Sequence, residues 1–122
     1  MQTIESVYFI GAGGIGMSAL ERYFLSQSLF VGGYDRTETP LTKELIREGA
    51  DIHYTDDVDA IPQACRDPQT TLVVYTPAVP KDHHELTWFR QAGFEVKKRA
   101  EVLGYLTRQM KGLCVAGTHG KT

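Results

Sequence analysis

Short apolar runs alternate with segments of helical periodicity along the whole chain. Val7, Tyr8, Phe9 and Ile10 form a β-branched and aromatic run stopped by Gly11, which predicts a buried strand. From Gly14 to about Gln27, Met17, Leu20 and Phe24 recur at three- and four-residue spacing beside Ile15 and Ala19, predicting a helix. Phe30 to Tyr34 predicts a second strand ending at Asp35. Thr39-Pro40 then opens a helix with apolar positions Leu41, Leu45 and Ile46, and Gly49 stops it.

Asp51 to Tyr54 reads as a weaker strand, and Thr71 to Thr76 is the most strand-like run of all. After a loop holding Pro77 and Pro80, Asp82 is placed to cap a helix carrying Leu86, Phe89 and Ala92, with Gly93 as its stop. Phe94 to Lys97 predicts a strand, about Ala100 to Gln109 a helix with Leu103, Leu106 and Met110 on one face, and Leu113 to Ala116 a last strand. Strict strand and helix alternation with short loops implies an α/β fold, a mainly parallel sheet covered on both faces in a three-layer α/β/α sandwich. Ligands of such sheets bind outside the carboxyl ends of the strands, so the loops after Ile10, Tyr34, Thr76 and Lys97 are where chemistry is expected.

The 122 residues, 42% hydrophobic and 23% charged, are those of an ordinary folded domain. Thirteen Lys+Arg against fifteen Asp+Glu leave a net charge of −2, without the basic excess that nucleic-acid backbones demand, so no nucleic-acid partner is expected. The charge is uneven: Asp35 to Asp59 holds eight acids and three bases, Lys81 to Thr122 eight bases and four acids. Cys65 and Cys114 form neither a metal motif nor a disulfide scaffold, which fits a reducing compartment. The longest uncharged run, Ser6 to Leu20, is broken by four glycines and is too short to span a bilayer. Neither does it have the flanks of a secretory signal, so membrane insertion is not expected and the cytoplasm is the expected location.

Gly11-Ala12-Gly13-Gly14-Ile15-Gly16 matches G-x-G-x-x-G directly after one predicted strand and at the start of a helix, the context in which the pattern cradles a diphosphate. Glycine permits the tight turn at Gly11, close approach of a diphosphate at Gly13 and close helix packing at Gly16. Amides near Ile15, Met17 and Ser18, at the positive end of the helix, would receive the anion. Asp35, nineteen residues after Gly16 at the end of the second strand, stands where a carboxylate accepts from nucleotide hydroxyls. These features define a Rossmann-like nucleotide-binding domain without naming the nucleotide. An NAD(P)-binding oxidoreductase domain and a nucleotide-sensing regulatory module both satisfy them.

The last six residues, Gly117-Thr118-His119-Gly120-Lys121-Thr122, end as a phosphate-binding loop does, in Gly-Lys-Thr after a predicted strand. Neither alternative accounts for them. In such loops lysine reaches the β/γ-phosphates and threonine's hydroxyl ligates Mg²⁺.

Taken together, Gly11 to Ser18, Gly33-Tyr34-Asp35, Thr76-Pro77-Ala78-Val79-Pro80, Arg99-Ala100-Glu101-Val102-Leu103 and Gly117 to Thr122 resemble the Mur ligases of bacterial cell-wall synthesis. The resemblance spans the chain, and Gly-Gly-Ile-Gly-Met-Ser favours the alanine-adding branch over the tripeptide-recycling one. It implies an ATP-dependent ligase in which ATP phosphorylates the carboxylate of UDP-N-acetylmuramate and L-alanine attacks the acyl phosphate. Residues 1–111 would be its UDP-sugar-binding N-terminal domain, and 112–122 the first strand and phosphate loop of a central ATPase domain. Gly11, Gly13, Gly14, Ile15, Gly16, Met17 and Ser18 would hold the diphosphate. Tyr34, Asp35 and Arg36 would contact the uridine, Thr76, Ala78 and Val79 would line the same cleft, and Arg99 and Glu101 would complete it. Gly117, Thr118, His119, Gly120, Lys121 and Thr122 would bind ATP, with Thr122 on Mg²⁺. The resemblance assigns no catalytic residue to this chain and no activity to it alone. Pro77 and Val79 depart from the serine or isoleucine of many relatives.

The adjacent His83 and His84 read as solvated surface at a helix start, and His53 as part of a weak strand. Trp88 and Phe89 are expected to pack the helix on the sheet.

Overall fold

The computed structural model describes residues 4–80 and 82–104. Its strands are β1 (Ser6–Ile10), β2 (Phe30–Tyr34), β3 (Asp51–His53), β4 (Thr71–Tyr75) and β5 (Glu95–Lys98). The helices α1 (Ile15–Ser26), α2 (Pro40–Glu48) and α3 (His84–Gln91) alternate with them, a further helical stretch occupies residues 99–104, and two 3₁₀ turns, Val58–Ala60 and Gln63–Cys65, link β3 to β4. The sheet order is β3-β2-β1-β4-β5 and every pairing is parallel. Each connection therefore crosses over a face, as the alternating pattern predicts.

β1 is flanked by β2 and β4 and is buried at all five positions, which explains its unbroken apolar run. Its side chains alternate between two cores. Val7 and Phe9 pack with Met17, Leu20 and Phe24 of α1 and Leu45 of α2, joined by Val102. Tyr8 and Ile10 pack on the other face with Ile61, Cys65, Leu86 and Phe89. Trp88 is partly buried against this second core, so it and Phe89 do pack helix on sheet.

Local chemistry sets the helix ends. Thr39 caps α2 by accepting from the Thr42 amide at 3.1 Å while the Thr42 hydroxyl accepts from the Thr39 amide at 2.9 Å, with Pro40 following. Gly49, at φ +122°, stops α2, and Gly93, at φ +85°, reverses the chain after α3.

The structure corrects several expected positions. Ile46 is 40% exposed, because α2 buries Thr42 and Leu45 instead. His83, not Asp82, caps α3. Phe94 remains tied to the helix stop by its amide's bond to the Phe89 carbonyl, so β5 starts one residue later than expected. Ala92 is an exposed C-cap rather than a core position, and Val102 rather than Leu103 is the fully buried residue of the stretch 99–104. Tyr54 and Thr76 fall just outside their strands. The expected strand Leu113–Ala116, Leu106 and Met110 lie outside the described residues.

Candidate functional site

The strand order reverses direction between β1 and β4, and the loops leaving their carboxyl ends diverge there to open a crevice. A cleft of about 530 Å³ occupies this edge of the sheet. It is lined by Gly11 and Gly14 from the loop after β1, Tyr34 to Thr37 after β2, Asp56 after β3, and Thr76, Ala78 to Pro80 and Asp82 to His84 after β4.

The glycine loop is pinned to the end of β2. Both the Gly11 and Ala12 amides donate to the Tyr34 carbonyl at 2.8 Å, and Gly11 takes φ +96°, a conformation that favours glycine. The Gly13 amide donates to Asp35 Oδ1 at 3.2 Å, and the Thr37 amide to Asp35 Oδ2 at 3.3 Å. A Cβ on Gly13 would stand 2.8 Å from Asp35 Oδ2, so the absence of a side chain is what lets the carboxylate close over the turn.

Gly14 is the N-cap of α1 and, having no side chain, leaves the first-turn amides of the helix without a side-chain acceptor from the cap. The Ser18 amide already donates to the Gly14 carbonyl at 2.9 Å, so Ser18 is not one of these free donors, contrary to expectation. Ser18 and the Met17 side chain are buried, Met17 within the core, and neither lines the cleft. Arg99 lies against the same helix start: a Cβ on Gly16 would come within 2.7 Å of its Nη1. A cation beside the positive end of a helix suits an anionic ligand.

Of the expected site residues, Gly11, Gly14, Tyr34, Asp35, Arg36, Thr76, Ala78 and Val79 converge on the one cleft. Gly13 adjoins it through Asp35, while Gly16 and Arg99 lie against each other and neither is among its lining residues. Glu101 stands apart, accepting from the Lys98 amide at 2.9 Å and so closing the start of the stretch 99–104. The loop Gly117 to Thr122 lies outside the described residues.

Of the two histidines read as solvated surface, His84 keeps to that reading and His83 departs from it. His83 is only 6% exposed and lines the cleft, its ring packed edge-on against Tyr34 with centroids 4.6 Å apart; His84 is exposed. Beneath them runs a polar network. Glu85, fully buried, accepts from the Tyr8 hydroxyl at 2.5 Å and the Asp57 amide at 3.2 Å, and its Oε2 lies 2.7 Å from His53 Nε2. The Asp56 carboxylate caps α3, accepting from the His84 and Glu85 amides at 2.9 and 3.0 Å. Burial and the neighbouring Glu85 hold the Tyr8 phenol far above its ordinary range, so it stays a donor. Nothing in the sequence singles out Asp56 or Glu85, because their partners lie at least 27 positions away, at the start of α3 for Asp56 and on β1 and β3 for Glu85. No group of histidine, cysteine and acidic side chains among the described residues is arranged to hold a metal ion.

A parallel α/β sheet with a glycine turn at its switch point and a carboxylate at the end of the next strand defines a Rossmann-like α/β domain. The chain belongs to the Mur ligase family: residues 6–111 match the description Mur ligase family, catalytic domain. It is 66% identical over its full length to a UDP-N-acetylmuramate–L-alanine ligase of Phocaeicola vulgatus and 65% identical over 98% of its length to one of Parabacteroides distasonis. The chain spans only 27% and 26% of these relatives. Among solved structures it is similar to a UDP-N-acetylmuramate–alanine ligase of Thermotoga maritima, with a TM-score of 0.71 and 30% identity over 87% of this chain and 23% of that one. A UDP-N-acetylmuramate:L-alanyl-gamma-D-glutamyl-meso-diaminopimelate ligase of Neisseria shares the fold, with a TM-score of 0.67 at 16% identity over 80% of this chain and 29% of that one.

Proposed function

We propose that this chain is the nucleotide-binding N-terminal part of a ligase that joins L-alanine to UDP-N-acetylmuramate, and that its cleft takes the UDP moiety. The observation that carries this reading is the meeting of Gly11, Gly14, Asp35 and Thr76 around one cleft at the switch point. In it, the diphosphate lies on the first turn of α1 beside Arg99, and the uridine extends past Asp35, Tyr34 and Arg36. The diphosphate-binding set is Gly11, Gly13, Gly14, Ile15, Gly16 and Met17, with Thr76, Ala78 and Val79 closing the opposite wall.

On this reading residues 1–111 form the UDP-sugar domain and 112–122 begin the ATPase domain. Gly117, Thr118, His119, Gly120 and Lys121 bind ATP there, and Thr122 ligates Mg²⁺. ATP activates the muramate carboxylate, L-alanine forms the amide, and the enzyme works in the cytoplasm. No helix among the described residues is long and apolar enough to cross a membrane.

Calorimetric titration of this chain with UDP-N-acetylmuramate, with NADH and ATP as matched arms, tests the reading. Saturable 1:1 binding of the UDP-sugar is expected. Binding of NADH with no response to the UDP-sugar would overturn it in favour of an oxidoreductase-type domain.

A further inference from the structure

His83 has two ring nitrogens with different surroundings. Nδ1 faces its own helix and accepts from the Leu86 amide at 3.4 Å, completing the cap of α3. Nε2 is buried and has no hydrogen-bond partner among the described residues. The two facts are linked. A neutral imidazole whose Nδ1 accepts carries its proton on Nε2, so the orphaned atom is an N–H donor.

Burial lowers the affinity of His83 for a second proton, against the opposing pull of Asp56 and Glu85. Asp56 Oδ1 lies 3.2 Å from Nδ1 and forms an ion pair with it only when the ring is doubly protonated. The Asp56 oxygens also accept from the His84 and Glu85 amides, and the Nε2–H tautomer is the one in which Nδ1 accepts from Leu86. The ring is held in place by Tyr34, and both residues line the cleft.

A buried donor without an acceptor is costly, and folded proteins rarely carry one without a use. Its place on the wall of a nucleotide-sized cleft says what the acceptor would be. We propose that His83 is a ligand-contacting residue of this cleft, its Nε2–H donating to an oxygen of the bound nucleoside diphosphate. This inference rests on the nucleotide reading above and adds to it a residue that the glycine loop and Asp35 do not predict. It also explains why a histidine suits this position: an Asn amide reaches the Nδ1 site and can cap the helix, but only the imidazole reaches both sites at once.

The test separates capping from ligand contact. His83→Asn keeps an acceptor for the Leu86 amide and removes the Nε2 donor. His83→Gln places an amide near the Nε2 site and gives up the cap. With UDP as the titrant, His83→Asn is expected to bind at least fivefold more weakly with little change in melting temperature, while His83→Gln melts lower but retains more of the affinity. Long-range ¹H–¹⁵N spectra of the wild-type chain are expected to show the Nε2–H form and a shift of that nitrogen on adding UDP. Inorganic pyrophosphate and uridine identify the acceptor: a loss shared by UDP and pyrophosphate marks a phosphate oxygen, one shared by UDP and uridine a base or ribose oxygen. Unchanged UDP affinity in His83→Asn with an unmoved Nε2 resonance overturns the role of His83 alone. A folded wild-type chain that binds no UDP overturns the nucleotide reading and this inference with it.

Discussion

The Asp35 carboxylate and the Gly13 amide meet at 3.2 Å, joining the end of β2 to the turn after β1 across 22 positions of sequence. The contact is made possible by the missing Cβ of Gly13, and the second oxygen holds the Thr37 amide. One side chain thus sets the shape of both walls where the diphosphate and uridine are proposed to lie. Asp35→Ala is expected to weaken UDP-N-acetylmuramate binding about tenfold or more, since a charge-assisted bond of this kind contributes about 1.5–3 kcal/mol. Asp35→Asn, which keeps an acceptor for Gly13, should fall between. Calorimetry on the three proteins checks the order; equal affinities would remove Asp35 from the site.

Three glycines near the cleft should respond differently to alanine, because different atoms stand where the methyl would go. At Gly33 the obstacle is backbone, the Phe9 carbonyl oxygen at 2.8 Å, with Ala12 Cβ at 3.0 Å. Neither yields without distorting the sheet, so Gly33→Ala is expected to cost about 3 kcal/mol in urea unfolding. At Gly16 the obstacle is the Arg99 guanidinium, the far end of a flexible side chain. Gly16→Ala should therefore be close to neutral, helped by about 0.5–1 kcal/mol of helix propensity, yet weaken diphosphate binding by moving Arg99. Gly13→Ala meets the Asp35 carboxylate and should affect binding more than stability. A Gly16 variant as unstable as the Gly33 one would contradict this assignment of the obstacles.

Tyr8 crosses the sheet's buried face to reach Glu85, which belongs to α3. Removing the hydroxyl leaves Glu85 Oε1 without that donor, while Oε2 keeps His53 and the Asp57 amide. Tyr8→Phe is expected to lose about 1–3 kcal/mol, more than a typical exposed hydrogen bond, because the carboxylate stays buried. Denaturant unfolding of Tyr8→Phe, Glu85→Gln and the double variant measures the coupling. Additive losses would show that the two groups do not act together.

Much of this was legible in the sequence because strand runs, glycine stops and the G-x-G-x-x-G turn are local signals. Val7 to Ile10 could only be a buried strand, and Gly49 and Gly93 end helices for a reason internal to their own φ angles. The cleft residues from Gly11 to Val79 were legible for the same reason, each following a strand. Asp56, Glu85 and His83 were not. Their character depends on which distant groups the topology brings against them: Tyr8, 77 positions from Glu85, or Tyr34, whose ring walls in His83. Ile46 failed in the opposite sense, since periodicity offers a face to the core but α2 packs through Thr42 and Leu45.

Glu21 on α1 is fully buried, and neither of its carboxyl oxygens has a hydrogen-bond partner among the described residues. Desolvation, reinforced by the charge of Asp35, raises its pKa from 4.5 to about 9, so at neutral pH the folded chain holds a proton there. The unfolded chain releases that proton above about pH 4.5, so the unfolded state binds fewer protons and stability falls as pH rises. The contribution is fully present below the unfolded value, declines at up to about 1.4 kcal/mol per pH unit, and is gone above the folded value. Glu21→Met fills a similar volume without a titrating group. It should be more stable than the parent chain by a margin that widens between pH 5 and about 9. Asp35→Ala, which removes the reinforcing charge, should narrow that window from its upper end. Urea unfolding across this range decides the matter: parallel pH profiles for the parent and Glu21→Met would mean that Glu21 ionises as freely in the folded chain as in the unfolded one.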